Sequence, residues 1–145
     1  IRKTAGALEG VAAKKDIHFD LELSDTEPLW VSGDKDKIQQ VLHNLMDNAV
    51  KFSHEGSSIL ISTREKGNRV FVSVKDSGIG IPKDDLGKIF ERFYKTDLSR
   101  GKDKLGTGLG LSICKEIITA HKQNLDVVST EGVGSEFVFT LTKET

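Results

Sequence analysis

Two strand-like runs joined through a Gly-Asn turn constrain this chain more than anything else in it. "SILISTR" (58–64) and "RVFVSVKD" (69–76) are rich in strand-forming residues, Val70, Val72 and Val74 share one face of the second, and Gly67-Asn68 lies between them. Period-two alternation marks a strand with one buried face. A glycine-containing pair between two such runs marks a tight hairpin turn. The two strands are therefore expected to be antiparallel neighbours. "IHFDLEL" (17–23) alternates strictly, with Ile17, Phe19, Leu21 and Leu23 on one face. "LWV" (29–31), "NLDVVS" and "SEFVFTLT" read as further strands. Between them lie helical patterns. Ala5, Leu8, Val11 and Ala12 have helical spacing within residues 1–15. The longest helix is expected over 35–53, with Asp34 as its N-cap and Ile38, Val41, Leu42, Leu45, Ala49 and Phe52 as its core face. Pro82 opens a short helix with an apolar stripe of Leu86, Ile89, Phe90 and Phe93. A last helix runs to about His121. About six strands and four helices, with hairpins among the strands, predict an α/β (α+β) two-layer sandwich. Its sheet is mixed but mostly antiparallel, covered on one face by helices.

The 145 residues suffice for one domain with a real core. A formal net charge of −1 gives no bulk basic field for nucleic acid. No apolar run approaches the ~20 residues of a membrane span. No signal peptide is visible, and the chain starts in mid-pattern, as an excised domain would. The single cysteine, Cys114, leaves no intramolecular disulfide and suits a reducing cytoplasm. Within an apolar helix it reads as a small buried filler, with a reactive thiol as the alternative.

Three features carry chemistry. "LGTGLGLSICKEI" (105–117) puts Gly106, Gly108 and Gly110 at every second position before a helix. The dinucleotide fingerprint fails because Leu111 stands where its third glycine belongs, and the Walker loop fails because no Gly-Lys-Ser/Thr follows. Helix-start amides still suit an anion, with a ligand-free hinge as the alternative. In "KDSGIGIP" (75–82), continued alternation puts Asp76 on the apolar face of Val70, Val72 and Val74. A buried carboxylate needs donors, and an adenine amino group would be one; the alternative is a simple Asp turn. In "NLMDNAVKF" (44–52), Asn44, Asn48 and Lys51 form a polar stripe beside the core face. An Asn oxygen can ligate Mg²⁺ and a lysine can neutralise phosphate, the alternative being a solvated face.

Taken together, these strings resemble the ATP-binding catalytic domain of two-component sensor histidine kinases. NLMDNAVKF looks like their N box, KDSGIGIP their first glycine box, IFERFY (89–94) their phenylalanine box and GTGLGLS (106–112) their second glycine box. Order and spacing match over nearly the whole chain. The wider superfamily holds DNA gyrase, a heat-shock chaperone and a mismatch-repair ATPase. The resemblance implies the Bergerat fold, with ATP and Mg²⁺ as substrate and cofactor. Asp76 would bind the adenine amino group, with Gly78, Gly80 and Ile81 of its box beside it. Asn48 would ligate Mg²⁺, Asn44 and Lys51 would contact the phosphates, and Phe52 would line the adenine pocket. Residues 83–105 would form a lid, expected to be mobile over 95–104, with Phe90 and Phe93 as anchors and Arg92, Tyr94 and Lys95 near its mouth. Backbone amides of Gly106, Thr107, Gly108, Leu109 and Gly110 would hold the phosphates, and the Ser135 hydroxyl would assist Asp76. The implied partners are a dimerisation and phosphoacceptor hairpin of the same kinase and a response regulator. The implied location is the bacterial cytoplasm, either free or as the cytoplasmic part of a membrane sensor.

The chain departs from the family pattern in places. Leu105-Gly106 stands where many members have a glycine pair, and His121-Lys122-Gln123 where they have His-Gly-Gly. None of His18, His43, His54 and His121 has the context of a phosphoacceptor. Three alternatives remain: a hydrolytic ATPase of the superfamily, a serine-directed anti-sigma kinase and an inactive nucleotide-sensing module. The hydrolases place a water-activating Glu four residues before the metal Asn; Asn44 occupies that position here.

Overall fold

The computed structural model describes residues 2–23, 31–91 and 110–143. In chain order the elements are α1 (Arg2–Ala13), β1 (His18–Glu22), β2 (Val31–Ser32), α2 (Lys35–Phe52), β3 (Ser58–Lys66) and β4 (Arg69–Asp76). A 3-10 turn (Lys83–Asp85), α3 (Gly110–Ala120), β5 (Leu125–Thr130) and β6 (Gly134–Lys143) follow. The predicted hairpin is β3–β4, paired antiparallel with Lys66 opposite Arg69 and a positive φ of 61° at Gly67. The sheet runs β1-β3-β4-β6-β2, with β5 also on β6. Among the described strands only β1–β3 is parallel; the long crossover through α2 makes that pairing possible. The other pairings are antiparallel, so the sheet is mixed and mostly antiparallel, as its hairpins required.

One face of this sheet carries the helices. Ile59, Ile61, Val70, Val72, Val74, Phe137, Phe139 and Leu141 point into a shared core with side chains of all three helices. Asp34 caps α2 as expected, its Oδ1 accepting from the amides of Asp36 (3.1 Å) and Lys37 (3.2 Å). The buried arc of α2 is wider than its periodicity suggested. Met46 and Val50 join Val41, Leu42, Leu45 and Ala49, because α1 and α3 also pack against the helix.

The structure corrects three expectations. Val11 is 47% exposed: the buried row of α1 is Thr4, Leu8 and Ala12, an i,i+4 line, and Val11 lies beside it. Leu21 is 36% exposed because β1 is an edge strand, where alternation continues after the cover runs out. The element after Pro82 is a 3-10 turn followed by further turns rather than an α-helix. Its amides reach back three residues, as in Lys88 to the Asp85 carbonyl (2.9 Å). Gly87 inside that stretch disfavours α-helix by about 1 kcal/mol. Ile89 of its stripe is buried and Phe90 packs edge-on against Phe137, while Phe93 lies outside the described residues.

Helices α2 and α3 are antiparallel, and two contacts fix the pair. Cys114 Sγ lies 3.8 Å from the Val41 carbonyl. At the far end His121 joins the two helices: Nε2 accepts from the Asp34 amide (3.0 Å) while Nδ1 sits 2.8 Å from the Ile117 carbonyl. Both bonds are made when the ring proton is on Nδ1.

Candidate functional site

The antiparallel pairing decides what lies beside the start of α3. Asn44 of α2 meets Cys114 of α3, where its amide hydrogen-bonds the sulfur. One helical turn, about 6 Å, separates Asn44 from Asn48 along α2. The same distance in the opposite chain direction separates Cys114 from Gly110. Asn48 and the amino end of α3 are therefore at one level. Asn48 is half-buried, and its side chain has no hydrogen bond among the described residues. A helix amino terminus carries unpaired amides and a partial positive charge. Lys51, one turn on, is half-buried and forms an ion pair of 3.3 Å with Asp47. Two sources of positive potential and an amide oxygen without a hydrogen bond among the described residues thus share one side of α2.

Asp76 ends β4 on the helix-facing side and is 6% exposed. Burial raises its carboxyl above the ordinary range, opposed by amide hydrogen bonds from Gly78 and Ser135 and by the charge of His54. Both amides donate to the same oxygen, Gly78 at 2.9 Å and Ser135 at 3.3 Å. Oδ2 has no such bond among the described residues, so the carboxylate is fixed in place with one acceptor to spare.

The glycines of this loop are required by the chain itself. A Cβ on Gly78 would stand 2.0 Å from the Phe52 carbonyl oxygen, and one on Gly80 2.2 Å from that of Thr130, where φ is +71°. On those sides the close approach allowed by glycine is made by protein backbone. The Ile79 amide bonds the Phe52 carbonyl (3.1 Å) and the Gly132 amide bonds the Ile79 carbonyl (2.7 Å). The loop is thereby held between the carboxyl end of α2 and the β5–β6 turn. This brings Asp76, Gly78, Gly80, Ile81 and the half-buried Phe52 together at the end of α2 that carries Asn48 and Lys51.

Other expected site residues are placed differently. The Ser135 hydroxyl pairs with Ser129 Oγ (2.8 Å), and Ser135 reaches Asp76 through its backbone amide. Arg92, Tyr94, Lys95, Gly106, Thr107, Gly108 and Leu109, with most of the 83–105 lid, lie outside the described residues. Gly110 is the exposed first residue of α3. Cys114 is fully buried, and burial pushes its thiol up to about 12, which makes it the filler of the first reading. Two residues were missed. Asp47 could have been found from its i,i+4 spacing to Lys51. Ser129 bonds Ile81, Gly134 and Ser135, and its signal was its place opposite Ser135 across a short turn.

A mostly antiparallel sheet, helices on one face, and a carboxylate pocket joined to an anion-favouring helix start define a nucleotide-binding Bergerat-type domain. The chain belongs to the family described as "Histidine kinase-, DNA gyrase B-, and HSP90-like ATPase", whose model matches residues 33–145. Within it the domain is of the histidine-kinase catalytic type. It is 45% identical over 127 residues to the sensor histidine kinase WalK of Bacillus subtilis, covering 86% of this chain and 21% of that protein. To the sensor protein SrrB of Staphylococcus aureus it is 44% identical over 115 residues, 79% of this chain and 20% of that protein. The chain thus spans about a fifth of the length of these curated relatives. Among solved structures, the catalytic domain of histidine kinase ThkA superposes with a TM-score of 0.84 at 36% identity, over 98% of this chain and 89% of that one. Full-length ShkA in complex with AMPPNP gives 0.85 at 31% identity, over 99% of this chain and 30% of that one. ThkA in complex with the response regulator TrrA gives 0.80 at 33% identity, over 99% and 39%.

Proposed function

We propose that this domain binds Mg·ATP and presents its γ-phosphoryl group to a histidine on a separate dimerisation hairpin, for relay to a response regulator in the cytoplasm. The observation that carries the reading is the convergence on the carboxyl half of α2. There Oδ2 of Asp76 and the Asn48 side chain, neither with a hydrogen bond among the described residues, lie with Lys51 and the amino end of α3. A carboxylate oxygen at one place and cationic and amide groups at another suit a molecule with an amino-bearing base at one end and a polyphosphate at the other. Asp76 would accept from the base. Asn48 would hold Mg²⁺, which supplies charge neutralisation along the phosphates. Lys51 and the α3 amides would steady the phosphate tail. Phosphoryl transfer relies mainly on such positioning and charge. The AMPPNP complex of ShkA and the ThkA–TrrA complex favour the same ligand class and partner.

No carboxylate stands at Asn44 to activate water. General-base assistance is typically worth ~10²–10⁴ in rate, so the domain alone should turn ATP over very slowly. The test is incubation of the domain with γ-labelled ATP, alone and with a phosphoacceptor hairpin. Label should move to the hairpin as an acid-labile phosphohistidine, and Asn48→Ala should abolish the transfer. Fast phosphate release by the domain alone would indicate the hydrolytic reading instead, and acid-stable phosphoserine on a partner the anti-sigma kinase.

A further inference from the structure

The Ser129 hydroxyl has three neighbours. The Ile81 amide lies at 2.8 Å, the Gly134 carbonyl at 3.0 Å and the Ser135 hydroxyl at 2.8 Å. An amide can only donate and a carbonyl can only accept, while a hydroxyl has one proton and two lone pairs. One assignment satisfies all three contacts. Ser129 gives its proton to Gly134 and accepts from Ile81 and Ser135. The Ser135 proton is then committed to Ser129, and the Ser135 oxygen is left with lone pairs only.

Ser135 sits opposite Asp76 in the β4–β6 register, on the same face. Directly opposed side chains in such a pair lie about 5 Å apart. The two backbone amides that reach Asp76 both take Oδ1, which leaves Oδ2. Side by side on this face, among the described residues, therefore stand two acceptors, Asp76 Oδ2 and Ser135 Oγ, and the Ser135 proton is turned away toward Ser129.

We propose that Ser129 is a positioning residue for base selection: by holding the Ser135 proton, it makes that wall accept from a 6-amino purine and reject a 6-oxo purine. The inference rests on the adenine-nucleotide reading above and deepens it. Without the Ser129 oxygen the Ser135 hydroxyl is free to rotate and donate to a carbonyl. The last turn-ward residues of β5 would thus set which base is admitted.

The test is titration calorimetry of the folded domain with ADP and with IDP, which differ at the purine 6-position. Wild type should favour ADP. Ser129→Ala should shrink the ADP-to-IDP preference by about two- to tenfold, the scale of one neutral hydrogen bond. Ser129→Thr, which keeps the hydroxyl, should restore it. Ser135→Ala should also shrink the preference, because it removes an acceptor set against the 6-oxo group. This second variant decides the matter if Ser129→Ala does not fold. Equal weakening of both nucleotides by Ser129→Ala would make Ser129 merely structural and overturn the inference. So would a preference that rises or stays fixed in Ser135→Ala, which would mean that Ser135 does not act as an acceptor. If folded wild type binds neither nucleotide, the adenine-nucleotide reading itself fails and takes this inference with it.

Discussion

Replacing Asp76 by Asn should move stability and affinity in opposite directions. The two backbone amides that grip Oδ1 require an oxygen there, so the Asn side chain must place its NH₂ where Oδ2 now stands. A donor would then face the amino group of the base. Losing a charge-assisted hydrogen bond costs ~1.5–3 kcal/mol, about ten- to a hundredfold in affinity. Stability should go the other way. Burial raises the Asp76 carboxyl above its ordinary value of 3.8, outweighing the hydrogen bonds that lower it. The folded chain thus holds this proton more tightly than the unfolded chain. Its contribution to stability is full below that unfolded value, falls as pH rises through the raised folded value, and stays low above it. Asn is neutral throughout and avoids the loss. The ligand-free Asp76→Asn protein should therefore melt above wild type at pH 7, and the gap should close on acidification toward pH 4. Thermal melts across that range, with ADP calorimetry at pH 7, measure both effects. A lower melting temperature than wild type at pH 7, or ADP affinity within about twofold of wild type, would refute the reasoning.

Gly80→Ala should destabilise the fold by about 1–3 kcal/mol through overpacking against the Thr130 carbonyl, and more through its positive φ. Gly67→Ala, with a φ of +61° and nothing within 4 Å, should cost only the backbone term, so urea denaturation should separate the two. Lys122 holds a φ of 60° just past α3, and Lys122→Gly should raise stability by about 1 kcal/mol in the same assay. Cys114, with its thiol pushed up to about 12, should resist alkylation at pH 8 in the native protein and react on unfolding. Mass spectrometry with and without denaturant would read this, and rapid native labelling would contradict the burial.

What the sequence made legible was whatever depends on short-range pattern. The Asp34 cap, the Gly67 hairpin and the Asp76 face each follow from residues within one turn or one strand of each other. Exposure at the margins was not legible. Val11 and Leu21 keep the local period of their elements, but only the three-dimensional neighbours determine where cover stops. The reason for Gly78 and Gly80 was half legible: glycine was plainly required, but the approaching groups are carbonyls of Phe52 and Thr130, distant in sequence. Ser129 was overlooked because a hydroxyl network has no periodicity. It depends on register across the β5–β6 turn and on the arrival of Ile81 from elsewhere in the chain.

Strand β6 has a consequence for how the protein is made. It pairs with β4, β5 and β2, and its partners on β4 lie 59 residues or more earlier, as Asp76 does from Ser135. A ribosome delivers the amino-terminal part first. Until residues 134–143 emerge, the edge of β4 that β6 will take is bare. Such edges recruit other strands, and contacts this distant in sequence form slowly. The nascent chain is therefore most vulnerable to aggregation between the completion of β4 and the arrival of β6. A chaperone that shields a strand edge during that interval would matter more to its yield than one acting on the finished domain.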